Sequence, residues 1–224
     1  MKIIAHRGAK GLAPENTLAA FQKALEHHAD QLEFDLRVTK DTVVVVNHDP
    51  HLTDPDGKKI RISTHTLAEL RKHKSNLLTF ETLLSVLDRH THLLIEVKPG
   101  EPTDPVIELI KQELAAGRAA STISIGSFDQ SILRTMHQAF PTLEMVVNAH
   151  WSGVYATWRA RQVHTKRINM RSWWLWRGFL RSMHRHGYQF APYTMNNPQK
   201  VQKWRPYIYG VITDYPDRFE RHKH

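Results

Sequence analysis

Three features of the 224-residue sequence predict an α/β fold of the (β/α)8, or TIM-barrel, type. Short apolar, β-branched runs alternate with segments of helical period, the pattern of a parallel sheet wrapped by helices. Nine runs read as strands, one more than a closed barrel holds. Only about four residues separate the second run from the third, too few for a parallel crossover. That pair is therefore an antiparallel hairpin, and eight βα units remain. The predicted architecture is one domain, residues 1–224, a barrel with an additional hairpin arm near residues 43–47 and a short insertion after it.

The elements follow in order. A strand at 2–5 leads to a helix at 16–28 that Asn16 is suited to cap. Strand 31–37 and its return arm 43–47 form the hairpin. Residues 50–78 hold one candidate helical turn, near Thr66–Arg71, and a helix at 79–89 leads into the strand at 92–97. The next helix, 105–116, carries the clearest punctuation. Asp104 is placed as N-cap, Pro105 at the first helical position and Gly117 at the stop, with Val106, Ile107, Ile110 and Leu114 along one stripe. Strands at 121–126, 143–148, 166–170, 188–193 and 208–212 then alternate with helices at 129–138, 151–161, 173–186, 197–204 and 215–222. No repeat or domain-separating linker interrupts them.

The hairpin carries the first chemical signal. If its turn centres on Lys40 and Asp41, Glu33 lies opposite His48 and Asp35 opposite Val46. Glu33, Asp35 and His48 would then share one face, with paired Cβ atoms ~5 Å apart. A three-residue loop would slip this register by one. Four fragments fall at or near strand ends, where the catalytic face of such a barrel lies. They are His6-Arg7-Gly8, Pro14-Glu15-Asn16-Thr17, the hairpin, and Ile95-Glu96-Val97-Lys98. Each alone has an ordinary structural reading as a turn, a cap, a solvated edge or an ion pair. Together they place three carboxylates, Glu33, Asp35 and Glu96, at one barrel mouth, where they repel unless paired. Oxygen ligands suit one hard divalent cation, Mg²⁺ or Ca²⁺. Zn²⁺ is disfavoured without His or Cys ligands. Arg7 and Lys98 flank the group and suit phosphate oxygens. His6 and His48 supply an acid/base pair. Cation, anion clamps and paired imidazoles describe the chemistry of a phosphate ester.

Composition excludes several alternatives. There are no cysteines, which rules out disulfides and thiolate metal centres. The N-terminus lacks the apolar stretch of a secretory signal, and no run approaches a membrane span, so a cytoplasmic protein is expected. The formal charge of +9 is uneven. Residues 145–213 contain no acidic residue, eleven Lys and Arg and all six tryptophans.

In that order the motifs resemble one family. His6-Arg7-Gly8, Pro14–Thr17, Glu33-Phe34-Asp35, Asn47-His48-Asp49, Ile95–Lys98, Ser127-Phe128-Asp129, Tyr193–Asn196 and Gly210–Asp217 span nearly the whole chain. The chain is similar to the glycerophosphodiester phosphodiesterases, with a barrel of the phospholipase-C-like type. The resemblance implies that His6 and His48 are catalytic, that Glu33, Asp35 and Glu96 bind the metal, and that Arg7 and Lys98 contact phosphate. It implies a place near the metal for Glu15 and a place lining the glycerol end for Tyr193, where the family often has Trp. The implied reaction releases sn-glycerol 3-phosphate and an alcohol. Relatives often carry a larger lobe after the His-Asp pair, and the short segment here implies a more open site.

The basic half allows further readings. Arg171–Gly187 reads as a barrel helix with its tryptophans packed inward and its arginines in water. A second reading is peripheral contact with an anionic membrane through residues 145–213, which would make the substrate a lysophospholipid. No motif supports a nucleic-acid partner. A catalytically silent lipid- or protein-binding barrel is the remaining alternative, and the complete His, Glu and Asp set argues against it.

Overall fold

The computed structural model describes residues 1–54 and 56–219. The strands, in chain order, are β1 (Lys2–Ala5), β2 (Gln31–Val38), β3 (Val44–Val46), β4 (His51–Thr53), β5 (Lys59–Arg61), β6 (Leu93–Val97), β7 (Ile123–Ser127), β8 (Glu144–Ala149), β9 (Arg167–Arg171), β10 (Gln189–Tyr193) and β11 (Gly210–Thr213). The helices are α1 (Leu18–Glu26), α2 (Leu67–His73), α3 (Phe80–Val86), α4 (Asp104–Ala115), α5 (Gln130–Ala139), α6 (Gly153–Arg161), α7 (Arg177–Arg185) and α8 (Pro198–Val201). Eight strands run parallel in the order β10-β9-β8-β7-β6-β2-β1-β11, as the alternation predicts. Backbone bonds beside the seam, Tyr209 N to Phe190 O (2.8 Å) and Met195 N to Ile212 O (2.9 Å), bring β10 and β11 together and nearly close the barrel. No helix among the described residues is long and apolar enough to cross a membrane.

Strand alternation divides the side chains. Leu32, Phe34 and Leu36 of β2 and Leu93, Ile95 and Val97 of β6 are buried in the layer between sheet and helices. Inside the barrel, Ile4, Leu94, Val146, Ala191 and Ile212 form an apolar plug. Gln31 belongs to a polar layer at the N-terminal end, where its Nε2 donates to Ser124 Oγ at 3.2 Å and Ser124 Oγ donates to Glu144 at 2.8 Å. The plug closes the tube from below, so the polar side chains at the strand C-termini line a cavity rather than a pore.

The helices start where the caps place them. Thr17, Thr79 and Asp129 accept from backbone N–H groups at the starts of α1, α3 and α5. Two caps differ from expectation. Thr17, not Asn16, caps α1, because Asn16 is buried and turned into the barrel mouth. Helix α4 begins one residue early, with Thr103 at the cap and Asp104 in the first turn. Gly117 does end its run, at φ +97°, a left-handed conformation that favours glycine. The expected helix at 173–186 starts only at Arg177, because Ser172–Trp174 is a 3-10 turn. At the C-terminus, Pro216–Phe219 is a 3-10 turn, and the rest of the expected helix lies outside the described residues.

The hairpin register is one residue off the expected one. Leu36 faces Val46, Arg37 faces Val45 and Val38 faces Val44. Thr39 N bonds Val43 O at 3.0 Å, which leaves Lys40, Asp41 and Thr42 as a three-residue loop with Thr42 at φ +62°. The Asp41 carboxylate is held by Thr39 Oγ1 (2.6 Å) and Leu67 N (3.0 Å). Direct pairing therefore does not put His48 across from Glu33. The insertion is also more structured than expected. Strands β4 and β5 pair with each other, and α2 starts with a Thr66–Glu69 capping box. They cover the arm: Val45 packs with Leu52, Ile60, Ile62, Leu70 and Leu77, while Val44 and Val46 belong to the main core.

Candidate active site

A cavity of about 570 Å³ opens at the C-terminal end of the barrel, and His6, Arg7, Glu33, Asp35, His48, Glu96, Lys98 and Tyr193 all line it. Strand register explains the carboxylates. Glu33 and Asp35 point the same way from β2, and Asp35 lies beside Glu96 of β6. One ligand atom from each of Glu33, Asp35 and Glu96 falls within 4.8 Å of the others, and all three residues are buried. His48 reaches the cavity by a bend rather than by strand pairing. Asn47 N bonds Asp35 O at 3.0 Å, and the Arg37 guanidinium donates to His48 O from Nη2 (2.8 Å) and Nε (3.1 Å). Those bonds turn the chain inward just past β3.

The charges inside this cluster are compensated unequally. Asp35 receives Lys98 Nζ at 2.6 Å, Arg7 Nε at 3.2 Å and Asn16 Nδ2 at 3.0 Å. Burial pushes the Asp35 carboxyl up, but Lys98 and Arg7 outweigh it and bring the pKa down to about 2. Glu96 pairs with Lys98 and accepts from Asn148 Nδ2 at 2.8 Å, yet burial raises it to about 6. Glu33 accepts Arg7 N at 2.8 Å. Burial, then the charges of Asp35 and Glu96, push Glu33 well above the carboxylate range. A buried carboxylate short of positive charge beside two others is what a cation site needs, and an all-oxygen donor set fits a hard divalent ion.

The two histidines are each held through Nδ1. His6 Nδ1 lies 2.6 Å from Asp214 Oδ1, and His48 Nδ1 lies 2.8 Å from Asp49 Oδ1. A carboxylate at Nδ1 keeps the proton there and leaves the Nε2 lone pair for chemistry. Burial lowers the pKa of both imidazoles, more than their acidic neighbours raise it. Burial therefore favours the neutral form of each ring.

Asp214 was not among the sequence-predicted site residues. It is anchored by Asn196, whose Nδ2 donates to Oδ2 at 2.8 Å and whose Oδ1 accepts Asp214 N at 2.9 Å. Its position directly after β11 was the available signal, since catalytic groups collect at strand ends. Asn148, at the end of β8, was missed for the same reason. Asn169 Nδ2 donates to its Oδ1 at 2.9 Å, and Gly126 leaves room for it, since a Cβ there would meet Asn148 Nδ2 at 3.3 Å. Glu15 stands one residue back from the acidic cluster. Its carboxylate accepts Arg7 Nη1 at 3.0 and 2.9 Å, and its side chain is 43% exposed, so it braces Arg7 at the rim rather than joining the acidic cluster. Arg7 itself has φ +54°, the backbone turn that lets its N–H reach Glu33.

One wall is aromatic. Tyr193 donates its hydroxyl to Ala149 O at 2.8 Å, and Phe128 stacks on His150 with centroids 4.2 Å apart and meets Tyr193 edge-on at 6.3 Å. The site thus combines an acidic floor, two cations, two carboxylate-held imidazoles and an aromatic side.

Known proteins share this arrangement of chain and fold. The model of the glycerophosphoryl diester phosphodiesterase family matches residues 6–218. YhdW of Bacillus subtilis is 30% identical over 97% of this chain and 96% of its own. The crystal structure of a glycerophosphodiester phosphodiesterase from Thermotoga maritima superposes with a TM-score of 0.82 at 27% identity, covering 98% of this chain and 97% of that one. A phosphodiesterase from Oleispira antarctica, solved with its product sn-glycerol 3-phosphate, has the same fold, with a TM-score of 0.85 at 22% identity over 97% of this chain and 94% of that one.

Proposed function

The chain belongs to the glycerophosphoryl diester phosphodiesterase family and is a phosphoric diester hydrolase; from that premise we propose that it cuts glycerophosphodiesters into sn-glycerol 3-phosphate and an alcohol by metal-dependent, two-histidine acid/base catalysis. The observation that carries this reading is the meeting of three buried carboxylates with two carboxylate-held imidazoles in one cavity. The product bound to the Oleispira antarctica enzyme supports the same substrate class.

Glu33, Asp35 and Glu96 would hold the divalent cation, Mg²⁺ or Ca²⁺, which when bound supplies positive charge at a non-bridging phosphate oxygen. Arg7 and Lys98 act from the same floor. Each spends one contact on Asp35 and keeps further N–H donors for the charge that builds on phosphorus oxygens. The imidazoles divide the proton work: one takes the proton of the attacking hydroxyl at its free Nε2, and the other, which takes up a proton from solvent at Nε2 as the anionic substrate enters and so becomes an imidazolium, delivers that proton to the departing alkoxide. Asp214 and Asp49 keep Nδ1 protonated through the exchange, so each ring presents the same nitrogen to the substrate throughout. Tyr193, with Phe128 and His150 set edge-on to it, offers an aromatic wall to the polyol end. The Tyr193 hydroxyl is committed to Ala149 O, which leaves its ring face for packing.

The test is a release assay. The protein is incubated with glycerophosphocholine, glycerophosphoethanolamine, glycerophosphoglycerol and a lysophospholipid, each with Mg²⁺ or Ca²⁺. Glycerol 3-phosphate from at least one soluble diester is the expected product. Lysophosphatidate is followed for the lysophospholipid, and release of no glycerol 3-phosphate from any of the three soluble diesters with either ion would overturn the proposal.

A further inference from the structure

The tryptophans between 151 and 176 do not pack inward. Of eleven large apolar side chains exposed among the described residues, seven lie between 151 and 176. Trp173 is 89% exposed, Val154 79% and Trp176 62%. The 3-10 turn at Ser172–Trp174 accounts for the failed helical expectation, because it carries Trp173 and Trp174 outward before α7 begins.

These side chains belong to two adjacent segments. Trp151, Tyr155 and Trp158 stack along α6, with centroids 6.4 and 5.6 Å apart and ring planes within 16°. The start of α6 abuts α7 closely: a Cβ on Gly153 would fall 2.2 Å from Phe179 Cζ. Phe179 in turn packs on Trp176 at 5.3 Å. The exposed rings of α6 and the Trp173–Trp176 segment are thus brought near one another through the Gly153–Phe179 contact, and Arg171 and Trp173 also line the cavity mouth. Arg171, Arg177 and Arg181 are exposed beside that segment, and no acidic residue occurs between 145 and 213 to offset them.

We propose that this collar docks the enzyme on an anionic bilayer, with the catalytic cavity facing the headgroups. Indole rings settle at headgroup level and arginines meet lipid phosphate there. So many large apolar side chains exposed within 26 residues are unusual on a protein that stays in water. A second copy of the chain is a poor occupant, because two such collars would set arginine against arginine with no carboxylate between them. Single-stranded nucleic acid could stack on the α6 ladder, but Val154 has no face for a base and suits acyl chains. The consequence for substrate choice rests on the phosphodiesterase reading: a docked cavity meets diesters held at a surface, such as lysophospholipids, as well as soluble ones.

The experiment uses the full chain and vesicles of phosphatidylcholine with and without phosphatidylglycerol, followed by co-sedimentation and tryptophan emission. Binding is expected only with phosphatidylglycerol, weakening as salt rises. Arg177→Gln with Arg181→Gln should weaken it about fivefold per arginine, about thirtyfold together. Trp174→Ser with Trp176→Ser should remove the emission shift and most of the binding. Both variants should release glycerol 3-phosphate from glycerophosphoglycerol at the wild-type rate, which separates a failure of docking from a failure of the catalytic reading. The proposal is overturned if the wild type ignores phosphatidylglycerol vesicles or if both variants bind like the wild type. It is also overturned if the tryptophan pair instead abolishes binding of a single-stranded oligonucleotide or a dimer seen by sedimentation velocity.

Discussion

Replacing Asp214 by Asn tests the assignment of His6 with little change of shape. The surrounding hydrogen bonds dictate how the new amide sits. Asn196 Oδ1 already accepts Thr213 Oγ1 (3.0 Å) and residue 214 N (2.9 Å), so Asn196 Nδ2 must donate to the oxygen of residue 214, as it now does to Asp214 at 2.8 Å. The amide nitrogen of Asp214→Asn is then left facing His6 Nδ1, where a carboxylate oxygen stood 2.6 Å away. A donor there forces the proton of the neutral ring onto Nε2 and removes the lone pair that faces the cavity. If His6 serves as the acid, the variant instead loses the charge that stabilises the imidazolium, so either role suffers. A positioned acid/base group is worth about 10²–10⁴-fold, and an aspartate-to-asparagine change behind a catalytic histidine can cost about 10⁴. We expect kcat on glycerophosphoglycerol to fall by ~10²–10⁴, with the stoichiometry and affinity of the divalent ion unchanged by calorimetry. Asp214→Asn with wild-type kcat would refute the reasoning, since the tautomer argument leaves it no route to full activity.

Three other outcomes follow from the same geometry. Asn148→Ala removes the donor to Glu96 Oε2 at 2.8 Å, and partners of this kind typically contribute about 10–100-fold in metal affinity; an unchanged calorimetric titration would place Asn148 outside the metal's support. His6 is lowered below its ordinary 6.5 chiefly by burial, so a proton binds the unfolded chain more tightly. The stability it contributes is full above pH 6.5 and is lost as pH falls through that value toward its folded one. Urea midpoints at about pH 8 and about pH 5.5 should therefore differ less in His6→Gln than in the wild type, and an equal or larger difference contradicts the assignment. Gly8→Ala would place a Cβ 2.6 Å from the Ala20 carbonyl carbon at φ +76°; a loss of about 2–3 kcal/mol and a Tm lower by roughly 4–12 °C are expected in a thermal melt, and an unchanged Tm would contradict this packing.

The barrel was legible because its evidence is local. Each βα unit shows its own change of period, and the four residues after Val38 of β2 forced one strand out of the barrel count. Strands β4 and β5 were not legible, since three residues each give no alternation and only their packing over Val45 fixes them. The hairpin register failed on one residue: Thr42 adopts a left-handed conformation that its sequence does not advertise, while Asp41 is tied to Leu67 far along the chain. Within the site, groups that carry formal charge on a strand were readable as a cluster. Groups that act through them were not. Asp214 meets His6 across 208 positions, and of the adjacent pair Glu15 and Asn16, burial alone decides that the amide enters the site while the carboxylate stays at the rim. The tryptophans misled because helical spacing was read through a segment that turns as a 3-10 bend.

The central claim is that Glu33, Asp35 and Glu96 bind one divalent ion on which hydrolysis depends. Its most direct measurement is calorimetric titration of chelator-stripped protein with Mg²⁺ and Ca²⁺, run beside glycerol 3-phosphate release on the same samples, for the wild type and Glu33→Gln. One ion per chain, no release before metal is restored, and a weakened titration in Glu33→Gln are the predicted results. Full release from the stripped enzyme, or a Glu33→Gln titration that overlays the wild type, would contradict the account.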